Sequence, residues 1–130
     1  MHKPHVLLIE DDTEMAALYI RRMKRAEYNC HTVETVADAL AYLETQEVPD
    51  VIVTDIDLPD GKGIDVITHC REHVKFDDAT IIVVSAHAFI RENRVSRFQP
   101  DCVLIKPVSP QHLNIIINEE LKRRRDPASA

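Results

Sequence analysis

Short runs of valine, isoleucine and leucine alternate along the chain with longer segments in which apolar residues recur every three or four positions. The apolar runs predict five strands, at His5–Ile9, Cys30–Val33, Val51–Thr54, Thr80–Ser85 and Cys102–Ile105. The first, third and fourth runs are almost continuously apolar, which is typical of strands covered on both faces of a parallel sheet. Helices are therefore expected on both sides of this sheet.

The segments between and after the strands predict five helices. Four of them have side chains for a buried stripe: Met15, Leu18, Tyr19 and Met23; Val36, Ala39, Leu40 and Leu43; Ile64, Ile67, Val74 and the stem of Arg71; Leu113, Ile116, Ile117 and Leu121. The fourth helix in chain order, within Phe89–Phe98, has the weakest period. Thr35 and Ser109 are predicted N-caps, and Pro110 opens the fifth helix. Five strand–helix units with right-handed crossovers predict a doubly wound α/β sheet, which binds ligands outside the carboxyl ends of its strands.

Composition narrows the classes of function. The 130 residues, 45% hydrophobic and 29% charged, fit one globular domain, and two glycines are too few for a glycine-rich nucleotide loop. A net charge of −6 disfavours direct nucleic-acid binding. Cys30, Cys70 and Cys102 form no C-x-x-C motif, which favours reduced thiols and a cytoplasmic location. No run is long enough for a signal peptide or a membrane span.

Polar residues follow four of the predicted strands at the edge where a ligand should bind. They are Glu10, Asp11 and Asp12 after the first strand, Asp55 and Asp57 after the third, Ser85 at the end of the fourth, and Lys106 with Pro107 after the fifth. So many carboxylates at one edge would repel each other unless a cation lies among them. Oxygen ligands with room for water favour Mg²⁺, which usually acts together with phosphate.

The same edge has the groups needed to hold a phosphoryl group. Lys106 and Mg²⁺ would neutralise its charge, and Ser85 would donate a hydrogen bond. Asp55 ends an apolar strand and is central in the expected sheet, so its carboxylate is the predicted nucleophile, giving an aspartyl phosphate.

With these residues in place, the chain resembles the receiver domain of two-component response regulators over residues 5 to about 124. The acidic pair, the acceptor, the hydroxyl and the Lys-Pro are separated by 44, 30 and 21 residues, as in that family, and Leu58–Gly63 (LPDGKG) resembles its loop after the acceptor. The resemblance implies a flavodoxin-like (βα)5 sandwich with a five-stranded parallel sheet of order 2-1-3-4-5. The predicted boundaries are a receiver domain at 1–124 and a short tail at 125–130, with no output domain.

The resemblance also implies a role for each site residue. Asp55 would be the phospho-acceptor, Asp11 a direct Mg²⁺ ligand, Glu10 a ligand through metal-bound water, Asp57 a ligand through its backbone carbonyl, Ser85 the switch hydroxyl, and Lys106 the phosphoryl-binding lysine. The implied partners are a sensor histidine kinase or histidine phosphotransfer protein and a downstream protein target. A homodimer through the fourth helix, fifth strand and fifth helix is a further possibility, with no membrane and no nucleic-acid partner.

Three positions depart from the family pattern or modify it. Val103 stands where the family usually has an aromatic residue, so we expect the conformational change to lie in Ser85–Phe98, with Val103 nearly static. His87 and Asp57 are at positions from which side chains reach the attacking water in that family. The sequence does not determine how these two side chains affect the lifetime of the phosphorylated state.

Several polar features have simpler interpretations. Asp12 is a candidate first-turn acid of the first helix. His69 and His73 are separated by one helical turn and could bind a transition metal, although a solvated pair is favoured. The basic run Lys122–Arg125 could dock acidic partners, but is predicted to complement the end of the last helix. Ile115 falls off the buried stripe and could join a partner surface.

Two other functions compete with a phosphorylation-controlled switch that is not a turnover enzyme. Asp55-Ile56-Asp57 resembles the nucleophile motif of haloacid-dehalogenase-type phosphohydrolases, but in that family the second acidic pair follows the lysine and a cap domain selects the substrate. The other alternative is a receiver-like interaction module that never accepts phosphate. The sequence identifies neither the cognate kinase nor the pathway.

Overall fold

The computed structural model describes residues 3–86 and 100–125. Its strands are β1 (His5–Ile9), β2 (Asn29–Val33), β3 (Val51–Asp55), β4 (Asp57–Leu58), β5 (Gly61–Lys62), β6 (Thr80–Ser85) and β7 (Cys102–Ile105). Its helices are α1 (Thr13–Arg25), α2 (Val36–Thr45), α3 (Gly63–Arg71) and α4 (Pro110–Arg125), with a 3-10 turn at Val74–Phe76. The helix predicted within Phe89–Phe98 lies outside the described residues, so α4 is the predicted fifth helix.

Five strands form one parallel sheet in the order β2-β1-β3-β6-β7. The order expected from the family was 2-1-3-4-5, and the numbering differs because β4 and β5 form a separate antiparallel pair between the third and fourth sheet strands. The doubly wound flavodoxin-like fold is confirmed. The chain leaves β1 on opposite sides to form β2 and β3, so the order reverses beside β1, where such sheets bind ligands.

The sheet separates two apolar layers, because alternate residues of each strand face opposite sides. One layer packs beneath α2 and α3 and includes Leu7, Ile9, Ile52, Ile81, Val83, Leu43 and Ile67. The other packs beneath α1 and α4 and includes Val6, Leu8, Val53, Val84, Tyr19, Leu113 and Ile117. Both faces of the sheet are therefore covered, as the continuous apolar runs predicted.

The predicted helix ends agree with the structure, but two predicted stripe positions were wrong. Thr35 accepts a hydrogen bond from the N–H of Asp38, and Ser109 accepts one from the N–H of His112, each at 3.0 Å. Leu18 is 48% exposed, because α1 buries a narrower stripe that consists of Ala16, Tyr19 and Met23. Val74 is 81% exposed, because α3 ends before it and the chain enters the 3-10 turn.

The three cysteines are free thiols, and burial raises the pKa of Cys30 and of Cys70 to about 11. The Arg71 side chain is 23% exposed, and its guanidinium pairs with Asp101 at 3.2 Å. Within residues 3–86 and 100–125, none of the helices has the length and apolarity that crossing a membrane requires.

Candidate functional site

The sheet register brings the predicted site residues to one edge. Ile9 pairs with Thr54, Asp55 with Val84, and Ser85 with Ile105. The residues that end or follow these strands therefore meet at the carboxyl edge, beside the point where the strand order reverses.

Lys106 bridges two of the acids at this edge. Its Nζ lies 2.8 Å from Oδ2 of Asp55 and 3.2 Å from Oε1 of Glu10. The side chains of Glu10 and Asp55 are only 4% and 12% exposed, so both contacts are largely shielded from water. Hydrogen bonds between ionised groups are stronger than neutral ones, and the bridge fixes the Asp55 carboxylate at the strand end.

The ionisation of Glu10 and Lys106 reflects this closeness. Burial raises the pKa of the Glu10 carboxyl, although the neighbouring Lys106 charge opposes the shift. Burial alone would lower the pKa of the Lys106 ammonium, but the hydrogen bond and charge of Asp55, together with Glu10, outweigh it and raise that pKa. Lys106 is therefore a permanent cation in the site.

A third carboxylate joins the pair. Oxygens of Glu10, Asp11 and Asp55 all lie within 4.8 Å of one another, and Asp11 is exposed to solvent. Three carboxylates beside one ammonium leave an excess of negative charge at the edge. The arrangement can bind a hard divalent cation through oxygen ligands.

Asp57 contributes its backbone at this site. Its N–H donates to Oδ1 of Asp55 at 3.3 Å, while its carboxylate forms an ion pair with Lys62 across the β4–β5 hairpin. The structure therefore places the Asp57 main chain beside Asp55 and the Asp57 side chain with Lys62.

Gly63 allows the chain to pass close to the end of β3. Its N–H donates to the carbonyl of Ile56 at 2.7 Å, and a Cβ at this position would lie 2.0 Å from the carbonyl oxygen of Asp55. That oxygen also accepts from the Thr54 hydroxyl at 2.8 Å. Only glycine permits this approach, which explains the second glycine of the LPDGKG segment.

Ser85 and Lys106 are adjacent at the ends of β6 and β7. Ser85 is fully buried, and its carbonyl accepts from the N–H of Lys106 at 2.8 Å. The peptide between Lys106 and Pro107 is cis. His87, a further predicted site position, lies outside the described residues.

Asp12, whose role the sequence left open, caps helix α1. Its carboxylate accepts from the N–H groups of Glu14 and Met15, each at 3.1 Å, and its own N–H donates to Oε2 of Glu10 at 3.3 Å. Its main chain therefore helps to orient Glu10 in the site.

His69, near the end of α3, and His73, just after that helix, form a contact pair. Nδ1 of His73 lies 2.6 Å from the carbonyl oxygen of His69, and their rings are 4.4 Å apart. Among the described residues, Glu10, Asp11 and Asp55 are the one group of three or more possible metal ligands that lie close together, and it does not include these histidines.

One residue of the basic run at the end of α4 makes contacts that the sequence did not predict. Arg124 pairs with Asp101 at 3.2 Å and donates to the carbonyls of Asp77 and Ala79 and to the Thr80 hydroxyl. Arg124 therefore connects α4 to the start of β6. The sequence suggested two other roles for this basic run, a helix-end charge and a docking patch.

Sequence reasoning missed the β4–β5 hairpin with Lys62 and Asp60. The Asp60 carboxylate accepts from the N–H groups of Val36 and Ala37 at the start of α2. Pro-Asp-Gly is a turn signal, but two-residue strands are too short to show a period.

The full-length pattern decides the family. Residues 6–118 match the sequence model of the response regulator receiver domain. The chain belongs to this family. The receiver domain is 30% identical to the regulatory protein LuxO of Vibrio cholerae over 117 residues, which cover 89% of this chain and 25% of LuxO. It therefore spans about a quarter of that relative.

Solved structures agree with the receiver fold. The signal receiver domain of a LuxO repressor protein from Vibrio parahaemolyticus superimposes with a TM-score of 0.83 at 30% identity, covering 95% of this chain and 94% of that one. The receiver domain of a sensor histidine kinase from Pseudomonas aeruginosa, determined with a magnesium ion in its active-site cleft, gives 0.79 at 22% identity, with coverages of 91% and 97%. The predicted family and fold are confirmed.

Proposed function

We propose that this receiver domain accepts a phosphoryl group on Asp55 from a histidine kinase or histidine phosphotransfer protein. The observation that carries the proposal is the Lys106 bridge, which joins Asp55 and Glu10 through contacts of 2.8 and 3.2 Å at a carboxyl edge rich in acids. Family membership decides against the phosphohydrolase alternative. The proposed domain boundary is 1–124, with a tail at 125–130.

The transfer is a nucleophilic substitution at phosphorus. A carboxylate oxygen of Asp55 forms the new P–O bond while the P–N bond to the donor imidazole breaks, and the imidazole nitrogen keeps the electron pair and takes a proton. Lys106 stabilises the negative charge of the phosphoryl oxygens, and its raised pKa keeps it protonated. Ser85, at the adjacent strand end, is the proposed hydrogen-bond donor to the transferred group.

The residues present fit Mg²⁺. Asp11, Asp55 and the carbonyl of Asp57 would bind it directly and Glu10 through water, and the three clustered carboxylates outnumber the single lysine. When bound, Mg²⁺ supplies positive charge that neutralises the phosphoryl oxygens. The magnesium ion in the cleft of the Pseudomonas aeruginosa receiver supports this assignment.

The consequence of phosphorylation would be a switched protein-interaction surface. The proposed surface comprises the segment Phe89–Phe98, for which the sequence predicts a helix and which lies outside the described residues, together with β7 and α4, where Ile115 is 52% exposed. A homodimer through this surface is part of the proposal. We also propose a cytoplasmic location, which the three free thiols support.

Intact mass spectrometry tests the proposal directly. The protein is incubated with Mg²⁺ and acetyl phosphate or a phosphorylated kinase, beside Asp55→Asn and the control Asp78→Asn, an exposed acid just before β6. Wild type and the control should gain one acid- and base-labile phosphoryl group, and Asp55→Asn none. Equal labelling of Asp55→Asn would refute the acceptor assignment. No labelling of wild type would favour an interaction module that never accepts phosphate.

A further inference from the structure

The β4–β5 hairpin lies between the proposed acceptor and helix α2. Asp57 pairs with Lys62 and Leu58 with Gly61, which leaves Pro59 and Asp60 at the tip. The base of the hairpin is beside the acceptor, since the N–H of Asp57 donates to Oδ1 of Asp55 at 3.3 Å. A displacement of the hairpin would therefore move the Asp57 main chain relative to Asp55.

The tip is held by two hydrogen bonds. Oδ1 of Asp60 accepts from the N–H of Val36 at 2.8 Å, and Oδ2 accepts from the N–H of Ala37 at 2.9 Å. These are the first two residues of α2, whose N–H groups have no carbonyl partner within the helix. Because each oxygen takes a different donor, the carboxylate is fixed in both position and rotation. The same two bonds lower the pKa of Asp60, which keeps it ionised at neutral pH.

The base of the hairpin is held by its own contacts, among them the burial of Leu58 in the core. Lys62 and Asp57 form an ion pair, but their side chains are 63% and 48% exposed, and exposed pairs contribute little to a fixed geometry. The Gly63 N–H to Ile56 carbonyl bond, at 2.7 Å, holds the chain after the hairpin. The tip contact with α2 thus adds a restraint from a second element to the contacts at the base.

We propose that Asp60 is a positioning residue for phosphoryl acceptance. Asp60 fixes the hairpin tip to α2 and thereby orients the Asp57 main chain. The N–H of Asp57 donates to Asp55, and its carbonyl is one of the proposed Mg²⁺ ligands. The inference rests on the proposed function and adds a residue that touches neither metal nor phosphoryl group. Removing a partner that orients a metal ligand typically costs 10–100-fold in affinity or activity.

Thr35 provides a matched control. Its hydroxyl accepts from the N–H of Asp38 at 3.0 Å, so Thr35 is the N-cap residue that directly precedes α2. Thr35→Ala therefore weakens the start of α2 without removing the Asp60 carboxylate. Any effect of Asp60 that arises only from α2 stability should appear in both variants.

The experiment compares wild type, Asp60→Ala, Asp60→Asn and Thr35→Ala. The Mg²⁺ dissociation constant is measured from the NMR shifts of the Asp55 and Asp57 amides, and the labelling rate from intact mass with acetyl phosphate. Asp60→Ala should weaken Mg²⁺ binding and slow labelling about tenfold. Asp60→Asn keeps one acceptor oxygen and should be intermediate, and Thr35→Ala should stay within about twofold of wild type in both measurements.

Two results would overturn the inference: a Mg²⁺ dissociation constant for Asp60→Ala equal to that of wild type, or an equal loss of affinity in Thr35→Ala. Failure of the proposed function looks different. A wild type that binds Mg²⁺ but gains no phosphoryl group refutes phosphoryl acceptance, while the NMR titrations still decide the role of Asp60. A wild type that does not bind Mg²⁺ refutes both.

Discussion

Replacing Gly63 with alanine should both destabilise the receiver domain and disturb its acceptor. The added Cβ would lie 2.0 Å from the carbonyl oxygen of Asp55 and 2.8 Å from the Thr54 hydroxyl, whereas real contacts of this kind are at least 3.0 Å. The backbone at the end of β3 and the start of α3 must therefore separate by about 1 Å. Overpacking of a buried site usually costs about 1–3 kcal/mol, and a clash with main chain belongs near the upper end.

Gly61→Ala, two residues earlier in the β4–β5 hairpin, is the matched control. Its Cβ would meet Asp65 and Val36 at 3.6 Å, an ordinary van der Waals contact, and its backbone φ is not positive. Loss of unfolded-state freedom should therefore stabilise this variant by about 0.4–1 kcal/mol. Gly63 is the first residue of α3, where helix propensity alone favours alanine by up to about 1 kcal/mol, so propensity and packing predict opposite signs.

Urea denaturation followed by circular dichroism measures the difference. With a slope of about 2 kcal/mol per molar urea, a loss of about 2–3 kcal/mol should lower the midpoint of Gly63→Ala by about 1–1.5 M, while that of Gly61→Ala should stay equal or rise. Labelling of Asp55 by acetyl phosphate should slow in Gly63→Ala and not in the control. A Gly63→Ala midpoint at or above that of wild type would refute the packing argument.

Three further substitutions test the charge network. Asp11→Ala removes one of the clustered carboxylates and should lose Mg²⁺ affinity and labelling together; a Mg²⁺ titration equal to that of wild type would contradict its role as ligand. Lys106→Met leaves Glu10 and Asp55 without their cation and should lower stability at neutral pH. The Lys106 charge opposes the burial that raises the pKa of Glu10, so in its absence that pKa rises further and ionisation of Glu10 costs more stability than in wild type. The deficit should therefore shrink in melts at lower pH, where Glu10 is protonated, and a pH-independent deficit would count against this explanation. Asp101→Ala removes the acceptor shared by Arg71, Arg124 and the N–H of Ile81, and should cost about 2–3 kcal/mol by urea denaturation with Mg²⁺ affinity unchanged; an unaltered midpoint would show that the network contributes nothing.

The parallel sheet could be predicted because continuous apolar runs and helical periods are strong local signals. The ends of those strands then indicated where the acids and Lys106 would meet, and the structure brings Glu10, Asp11 and Asp55 together at that edge. Contacts between segments distant in the chain had no such signal. The Asp60 contact with α2 and the Arg124 contact with Thr80 of β6 join residues 23 or more positions apart in the sequence, which no periodicity encodes.

The two apolar layers have a consequence for how this domain tolerates change in its interior. Leu7 and Leu8 are neighbours in sequence and equally inaccessible, yet they belong to different layers, beneath different helices. Side chains without shared partners affect stability nearly additively, whereas those in contact compensate or aggravate one another. A volume change at Leu8 is thus felt by its own layer, with Leu113, and only weakly by that of Leu7. Each side of the sheet can accumulate substitutions with little constraint from the other, while the acidic edge stays in place.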